Sequence, residues 1–442
     1  MKSKFLIIVL LAFAITSYSQ KTSDSTLKLS SAIGFAMQNN YDIQIAKNSI
    51  RIAENNASIL NSGYLPSVVV GAGGNYSNNN TDQTFASTDG EQKISRDGAV
   101  SKSYNGSLGI NYRLFDGMNR HFNYKKMQAN FDMSELQSRA VIENVLLQLI
   151  RTYYDVARYT SKIENVSRTL VISNTRYNYV KDQYLYGVAT ELDLLNSEVD
   201  RNNDSVNYIV ASNELKVAQN NLNVLLGRNM DIDFAVDTLV TFSLKIVKSE
   251  LMASALDRNV DYILSIQNRN ISAIQVKQSK AGYYPYLDLN GKYALSQVDN
   301  DVGTLLYSHQ TGFSTGLTLN WNLFDGGRTR TGVLNSKIQL ESADQLIAQS
   351  KNELERQISD AYNAYINSMF VLKVESKNKE TNQLNFSRSA DQFKLGQISS
   401  LDFRKAQVNL EESINGYNNA MYSAKIAEMA LLKLAGLFLD EF

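Results

Sequence analysis

Two aspartates, Asp193 and Asp402, each stand six residues after a glycine and three after a hydroxyl side chain. Gly187 and Thr190 precede the first; Gly396 and Ser399 precede the second. A hydroxyl and a carboxylate at that spacing form a capping box, each satisfying a backbone N–H that a helix start leaves open. A carboxylate in the first turn also gains from the helix dipole. No other residues suggest a reaction centre. The chain has no cysteine, which excludes disulfides, thiolate metal ligands, cysteine nucleophiles and a cysteine-linked lipid anchor. His121 and His309 are isolated and read as ordinary surface or lumen residues. The sequence offers no nucleophile–base set, metal cluster or phosphate loop, so the expectation is a protein without cofactor that is not an enzyme. With 44 basic against 44 acidic residues, a general nucleic-acid binder is not expected.

The elements that carry these motifs are duplicated. The only two prolines, Pro66 and Pro285, close the phrases GYLP and GYYP. At their offset Ala36 meets Ala255, Asn40 meets Asn259 and Gly63 meets Gly282. Further on, LFDG at Leu114–Gly117 meets LFDG at Leu323–Gly326, Gly187 meets Gly396, and Gly227 meets Gly436. The expected organisation is a first repeat over 27–228, a linker over 229–242 and a second repeat over 243–438. Before them, Lys2 and Lys4 precede the apolar run Phe5–Ile15. This reads as a secretory signal peptide over 1–19, cut near Ser19 or Gln20. No later stretch is long and apolar enough to span a bilayer as a helix.

Within each repeat the hydrophobic period changes. Residues 27–62 carry apolar side chains at helical spacing, predicting one helix of about 36 residues, roughly 54 Å long. Pro66 and Pro285 stop that helix and its partner. Alternation then replaces the helical period: Tyr104, Leu108, Ile110, Tyr112 and Leu114 against Asn105, Ser107, Asn111 and Arg113. Phe313–Leu323, Leu287–Leu295 and Val68–Tyr76 alternate likewise. These predict four membrane strands of about ten residues in two hairpins, over 64–115 and 283–324, with aromatic ends and polar loops. Asp116 and Asp325, beside Gly117 and Gly326, are expected N-caps of a following helix of about 67 residues, roughly 100 Å long. The chain turns at 184–193 and 393–402, where Gly187 and Gly396 permit the reversal, and a shorter helix ends each repeat. Tyr177, Tyr179 and Tyr184 read as interhelix packing.

A sheet in lipid cannot leave open edges, and membrane barrels need at least about eight strands. Four strands per chain must therefore be shared among two or three copies, and the polar inward residues suit a wet lumen. The full pattern of helix, GYxP, hairpin, LFDGG, long helix, YxxG…LD and helix resembles the TolC-like outer-membrane efflux proteins over nearly the whole mature chain. LFDGG stands intact at Leu323–Gly327 and as LFDGM at Leu114–Met118. The resemblance implies an α+β membrane protein: a homotrimer whose shared twelve-stranded barrel in the outer membrane continues into a long α-helical barrel in the periplasm. It implies a passive exit duct of a tripartite efflux pump or a type I secretion system, partnered by a periplasmic adaptor and an inner-membrane transporter. It also implies that the two helix turns form the periplasmic mouth, where Asp193 and Asp402 would give carboxylate rings that select cations. Ile398 and Lys405 stand where the family's best-described gate has an arginine and a second acid, so a differently wired closure is expected. The competing expectation is a secreted coiled-coil interaction protein without a pore.

Overall fold

The computed structural model describes residues 26–88, 90–242 and 246–441; the signal-peptide reading lies outside them. In chain order the elements are α1 (Leu29–Asn39), α2 (Tyr41–Asn56), β1 (Ser67–Ser87), β2 (Gly90–Phe115), α3 (Asn119–Leu185) and α4 (Glu191–Leu225). The series then repeats as α5 (Lys248–Arg258), α6 (Val260–Ser279), β3 (Tyr286–Asn300), β4 (Tyr307–Asn320), α7 (Arg328–Lys394) and α8 (Ser400–Leu434). The long helices α3 and α7 are 67 residues each, and α4 and α8 are 35 each. Two compact units are distinguished: one from residues up to Ile45 with Val141–Asn259 and the chain from Leu354, the other from Ala46–Ala140 and Val260–Glu353.

The first unit is helical. Its core includes Leu149, Ile150, Tyr153, Leu222, Ile358, Tyr422, Leu431 and Phe438, all fully buried. Side-chain bonds tie α3 to α8: Asn165 Nδ2 donates to Glu411 O at 3.1 Å and to Asn415 Oδ1 at 3.1 Å. The Tyr153 hydroxyl donates to Leu27 O at 2.7 Å and accepts from Asp237 N at 3.1 Å. It thereby holds the bridge between Leu27 and Val236.

One expectation fails here. The predicted 36-residue helix is two helices, broken at Asn40, and its repeat partner is broken at Asn259. Asn40 leaves the helical conformation (ψ 129°). Its Oδ1 then accepts from Asp42 N at 3.0 Å and Ile43 N at 3.2 Å, starting α2, while Nδ2 donates to Leu225 O at 3.0 Å at the end of α4. Asn259 Nδ2 donates in the same way to Leu434 O at 3.0 Å. Beside each break lies the left-handed glycine that ends the last helix of the repeat, Gly227 (φ 64°) or Gly436 (φ 71°). A Cβ on Gly227 would sit 2.5 Å from Asn39 O, and one on Gly436 would sit 2.5 Å from Arg258 Cβ. Helical spacing runs through the break unchanged, so hydrophobic periodicity does not reveal it. The helix α2 also stops at Asn56, and a short 3-10 turn, Ile59–Asn61, leads to Gly63.

The second unit holds a single antiparallel sheet in the order β1-β2-β3-β4. Pro66 and Pro285 each stand immediately before a strand. The register puts Ser67, Val69, Gly71, Gly73 and Asn75 of β1 on one face with Ser103, Asn105, Ser107, Gly109, Asn111 and Arg113 of β2. Asp288, Asn290, Lys292 and Ser296 of β3 and Gln310, Gly312, Ser314, Gly316 and Thr318 of β4 continue that face. The opposite face carries Val68, Val70, Leu108, Ile110, Tyr293, Leu295, Phe313, Leu317 and Leu319, all exposed. An exposed apolar surface of that extent marks an interaction with lipid or protein. Among the described residues no helix is long and apolar enough to cross a membrane.

The strands are longer than the expected ten residues: 21, 26, 15 and 14 from β1 to β4. The polar stretch within the first hairpin, residues 78–100, which reads as a loop, is mostly strand. Beyond the last β2–β3 pair, Ser101 with Asn300, β1 and β2 continue alone to Ser87 with Gly90. Side chains on this two-stranded ribbon are mostly polar and at most half-buried, Ala99 excepted, so the sequence lacks the apolar alternation that betrays a strand. A register shift between Asn79 and Thr81, with Gly98 N donating to Asn80 Oδ1 at 2.9 Å, marks where the ribbon begins.

The two asparagine joints generate a direct expectation. Asn259→Ala removes the donor to a carbonyl beside a tightly packed glycine, so it should cost about 1–3 kcal/mol. The thermal unfolding midpoint of purified protein measures it; an unchanged midpoint would show that the joint is not held by this bond.

Candidate functional site

The two helix reversals lie in the helical unit and are built alike. Helix α3 ends with Gly187 N donating to Tyr184 O at 3.0 Å and Val188 N to Gln183 O at 2.8 Å. Helix α7 ends with Gly396 N donating to Phe393 O at 3.0 Å and Gln397 N to Gln392 O at 2.8 Å. Gly187 (φ 74°) and Gly396 (φ 69°) take the left-handed conformation of a helix C-cap. No heavy atom lies within 4 Å of where either Cβ would stand, so backbone conformation rather than crowding calls for glycine.

Thr190 caps α4 with a full capping box. Its Oγ1 accepts from Asp193 N at 3.2 Å, while Asp193 Oδ2 accepts from Thr190 N at 3.1 Å and from Thr190 Oγ1 at 2.6 Å. The hydroxyl bond from Thr190, and then its backbone N–H, hold the Asp193 carboxyl below the usual carboxylate range. Ser399 caps α8: its Oγ accepts from Asp402 N at 3.1 Å and donates to Asp402 Oδ2 at 2.6 Å. Asp402 stays exposed, and Asp193 is partly so. Capping therefore uses both carboxylates while leaving their charge beside solvent.

Behind the turns Val180, Phe393 and Phe403 form a buried cluster, with Tyr179, Phe386, Leu194 and Ile398 packed against it. Phe393 and Phe403 stack at 4.9 Å between centroids, and Tyr179 meets Phe393 edge-on at 5.3 Å. Tyr179 is thus interhelix packing, whereas Tyr177 lies under the Arg201 guanidinium at 4.2 Å. Ile398 contributes apolar contact rather than charge.

Charge enters two turns further along α8, through residues the sequence reading did not single out. Arg404 holds Asp204 of α4 bidentately, Nη1 to Oδ2 at 2.6 Å and Nη2 to Oδ1 at 2.8 Å. Ser173 of α3 also donates to Asp204. Arg176 of α3 pairs with Asp200 of α4 and donates from Nη1 to Ser400 O at 3.2 Å. Gln407 Nε2 donates to Thr169 O at 3.0 Å and Ser173 Oγ at 3.1 Å. Asp204 is 1% exposed and Arg176 3%. Burial pulls the Arg404 pKa down, but the hydrogen bond and charge of Asp204 and the charge of Asp200 outweigh it, and Arg404 stays cationic. Burial also pushes the neighbouring Glu411 carboxyl up, against a lowering bond from Thr169. The network joins both helices of the first repeat's turn to the last helix of the second. One signal existed in the sequence: at the 209-residue offset Arg404 faces Leu195 and Asp204 faces Ser413, so these positions break the internal duplication.

The strand–helix junctions belong to the sheet unit. Asp116 Oδ2 accepts from Arg120 N at 3.0 Å and Arg120 Nε at 3.2 Å. Asp325 accepts from Gly327 N at 3.0 Å and, through Oδ2, from Thr329 N at 2.9 Å and Thr329 Oγ1 at 2.6 Å. Both glycines of the second LFDGG are left-handed, Gly326 (φ 70°) and Gly327 (φ 86°). The first copy keeps Gly117 (φ 63°) but forces Met118 to φ 70°. The twelve expected residues thus fall at two places, the helix turns and the strand–helix junctions. Among the described residues no cluster suited to a metal ion is found.

A sequence model of the family described as "Outer membrane efflux protein" matches residues 32–228 and 251–437. The chain is 23% identical over 412 residues to "Outer membrane efflux protein BepC" of Brucella suis, covering 92% of this chain and 85% of that one. It is 19% identical over 307 residues to "Outer membrane protein TolC" of Vibrio cholerae, covering 69% and 70%. Among solved structures, the CmeC outer membrane channel of Campylobacter jejuni superposes with a TM-score of 0.75 at 16% identity, covering 96% and 90%.

Substitutions at Asp204, Arg404 and Met118 test the geometry. Asp204→Ala removes the bidentate partner of the buried Arg404 and should cost about 3–5 kcal/mol, whereas Asp204→Ala with Arg404→Met should recover most of it. Thermal unfolding of the single and double variants reads the difference. Met118→Gly relieves a left-handed non-glycine residue and should stabilise by about 1 kcal/mol; a lower unfolding midpoint would contradict the strain.

Proposed function

The chain belongs to the outer membrane efflux protein family, and on that premise we propose that it is the outer-membrane exit duct of a tripartite export system in a Gram-negative bacterium. Three copies close one barrel of twelve strands. A periplasmic adaptor docks at the helix turns, and an inner-membrane transporter delivers the cargo. The duct is passive: it holds a wet path open and performs no bond-breaking step.

One observation carries this reading. The sheet has an exposed apolar face, a face of Gly, Ser, Asn and Thr, and two edge strands, β1 and β4. In lipid each unpaired edge group costs several kcal/mol. Four strands cannot curl into a membrane barrel of their own, so the edges of neighbouring copies pair. The two-faced alternation then orients itself, apolar side to lipid and polar side to the lumen.

At the mouth, Asp193 and Asp402 supply carboxylates next to the turns, and the capping bonds to Thr190 and Ser399 hold them in place. The buried network through Arg404, Asp204 and Arg176 lies deeper than the turns and couples the two repeats of one chain. It supports a closure wired differently from one with an arginine at the position of Ile398.

Protein extracted from outer membranes in detergent should migrate as a trimer that collapses to monomer on heating, and should form discrete pores in planar bilayers. Asp193→Ala with Asp402→Ala should lower the preference for cations. A monomer that is soluble without detergent and forms no pores would overturn the duct reading. Pores with unchanged selectivity would remove only the two carboxylates from the mouth.

A further inference from the structure

The polar face of the sheet carries few charges. Between the junction and the last β2–β3 pair, β1 and β4 contribute none to it, β2 contributes Arg113, and β3 contributes Asp288 and Lys292. Arg113 and Asp288 neutralise each other, with Nε to Oδ1 at 2.8 Å and Nη2 to Oδ2 at 3.2 Å, and the guanidinium lies 4.7 Å from the Tyr286 ring centroid. Lys292 is left over. It is exposed, and among the described residues no acidic side chain pairs with it. Its neighbours across the strands are Gly109 and Ser314, and the row continues to Val69. Val69, Ser314 and a glycine therefore share that level with one long cation. Around the same height the lipid side carries Val70, Leu108, Tyr293 and Phe313, away from the polar ends of the strands.

We propose that Lys292, repeated once per copy, forms a ring of three unpaired ammonium groups at mid-height in the barrel lumen, and that this ring favours anionic solutes such as carboxylates, phosphates and sulfonates. The inference rests on the duct reading, because only the closed barrel brings the three lysines together. A lysine carries its charge several bonds from the wall, and the screening length at physiological salt is about 8 Å. The ring therefore spreads a positive potential over much of the lumen cross-section. Between the junction and the last β2–β3 pair no other charge among the described residues on that face offsets it, because the Arg113–Asp288 pair is internally balanced.

Because the chain has no native cysteine, a single reporter can be placed cleanly. Asn290 lies two residues from Lys292 on the same face of β3, roughly 7 Å away. Asn290→Cys is made with and without Lys292→Gln, in outer membranes of intact cells. Its rates of reaction with an anionic methanethiosulfonate (sulfonatoethyl) and a cationic one (trimethylammonioethyl) are compared. With Lys292 present the anionic reagent should be favoured, and Lys292→Gln should lower the anionic-to-cationic rate ratio by roughly fivefold. An unchanged ratio would overturn the lysine ring while leaving the duct intact. A cysteine at Asn290 that reacts with neither reagent would overturn the wet lumen itself, and with it the proposed function. Lys292→Gln removes a solvent-exposed charge without a partner, so equal amounts of folded trimer are expected in both proteins.

Discussion

The backbone hydrogen bonds along β1 and β4 dominate this structure. Each edge presents N–H and C=O groups that water would satisfy in solution and that lipid cannot. The side chains on the apolar face make water a poor environment for the same strands: Val70, Phe313, Leu317 and Leu319 are all more than half exposed. Edge pairing between copies is the arrangement that satisfies both demands. The proposed assembly and its wet lumen both rest on that closure.

The duplicated chain meets this demand economically. Each repeat supplies one hairpin, one helix of 67 residues and one of 35. Where the short helices of a repeat meet, an asparagine and a glycine make the same joint twice, Asn40 with Gly227 and Asn259 with Gly436. The joint solves a local problem. A helix end buried against another helix leaves carbonyls without partners, and the asparagine amide reaches across to one of them. Beyond the turns, which are built alike, the two repeats part company. The charged residues that bind α3, α4 and α8 together have no counterparts in the other half, so an internal near-symmetry of fold carries an asymmetric set of contacts.

Much of this was legible in the chain. The change from helical to alternating period marks the sheet, the glycines and caps mark both turns, and the two copies of LFDG mark the starts of the long helices. The rest was hidden for physical reasons. The breaks at Asn40 and Asn259 keep the apolar spacing in phase, so only the matched asparagines hint at them. The ribbon beyond Asn79 is built mostly of polar side chains and shows no apolar alternation. Arg404, Asp204 and Arg176 read as ordinary helix-surface charges until the helices are packed and the charges prove buried. The departure at Ile398 gives no sign of the buried charges around Arg404.

The central claim is that β1 of one copy pairs with β4 of the next, and cysteine cross-linking tests it directly. One tagged copy carries Gly71→Cys on the polar face of β1. A co-expressed, differently tagged copy carries single cysteines scanned over Gly312, Ser314, Gly316 and Thr318 on the polar face of β4. The account predicts a disulfide between the two tagged chains at one register, and little or none a few residues away. If no register links the chains in membranes that contain the folded protein, the shared barrel is contradicted.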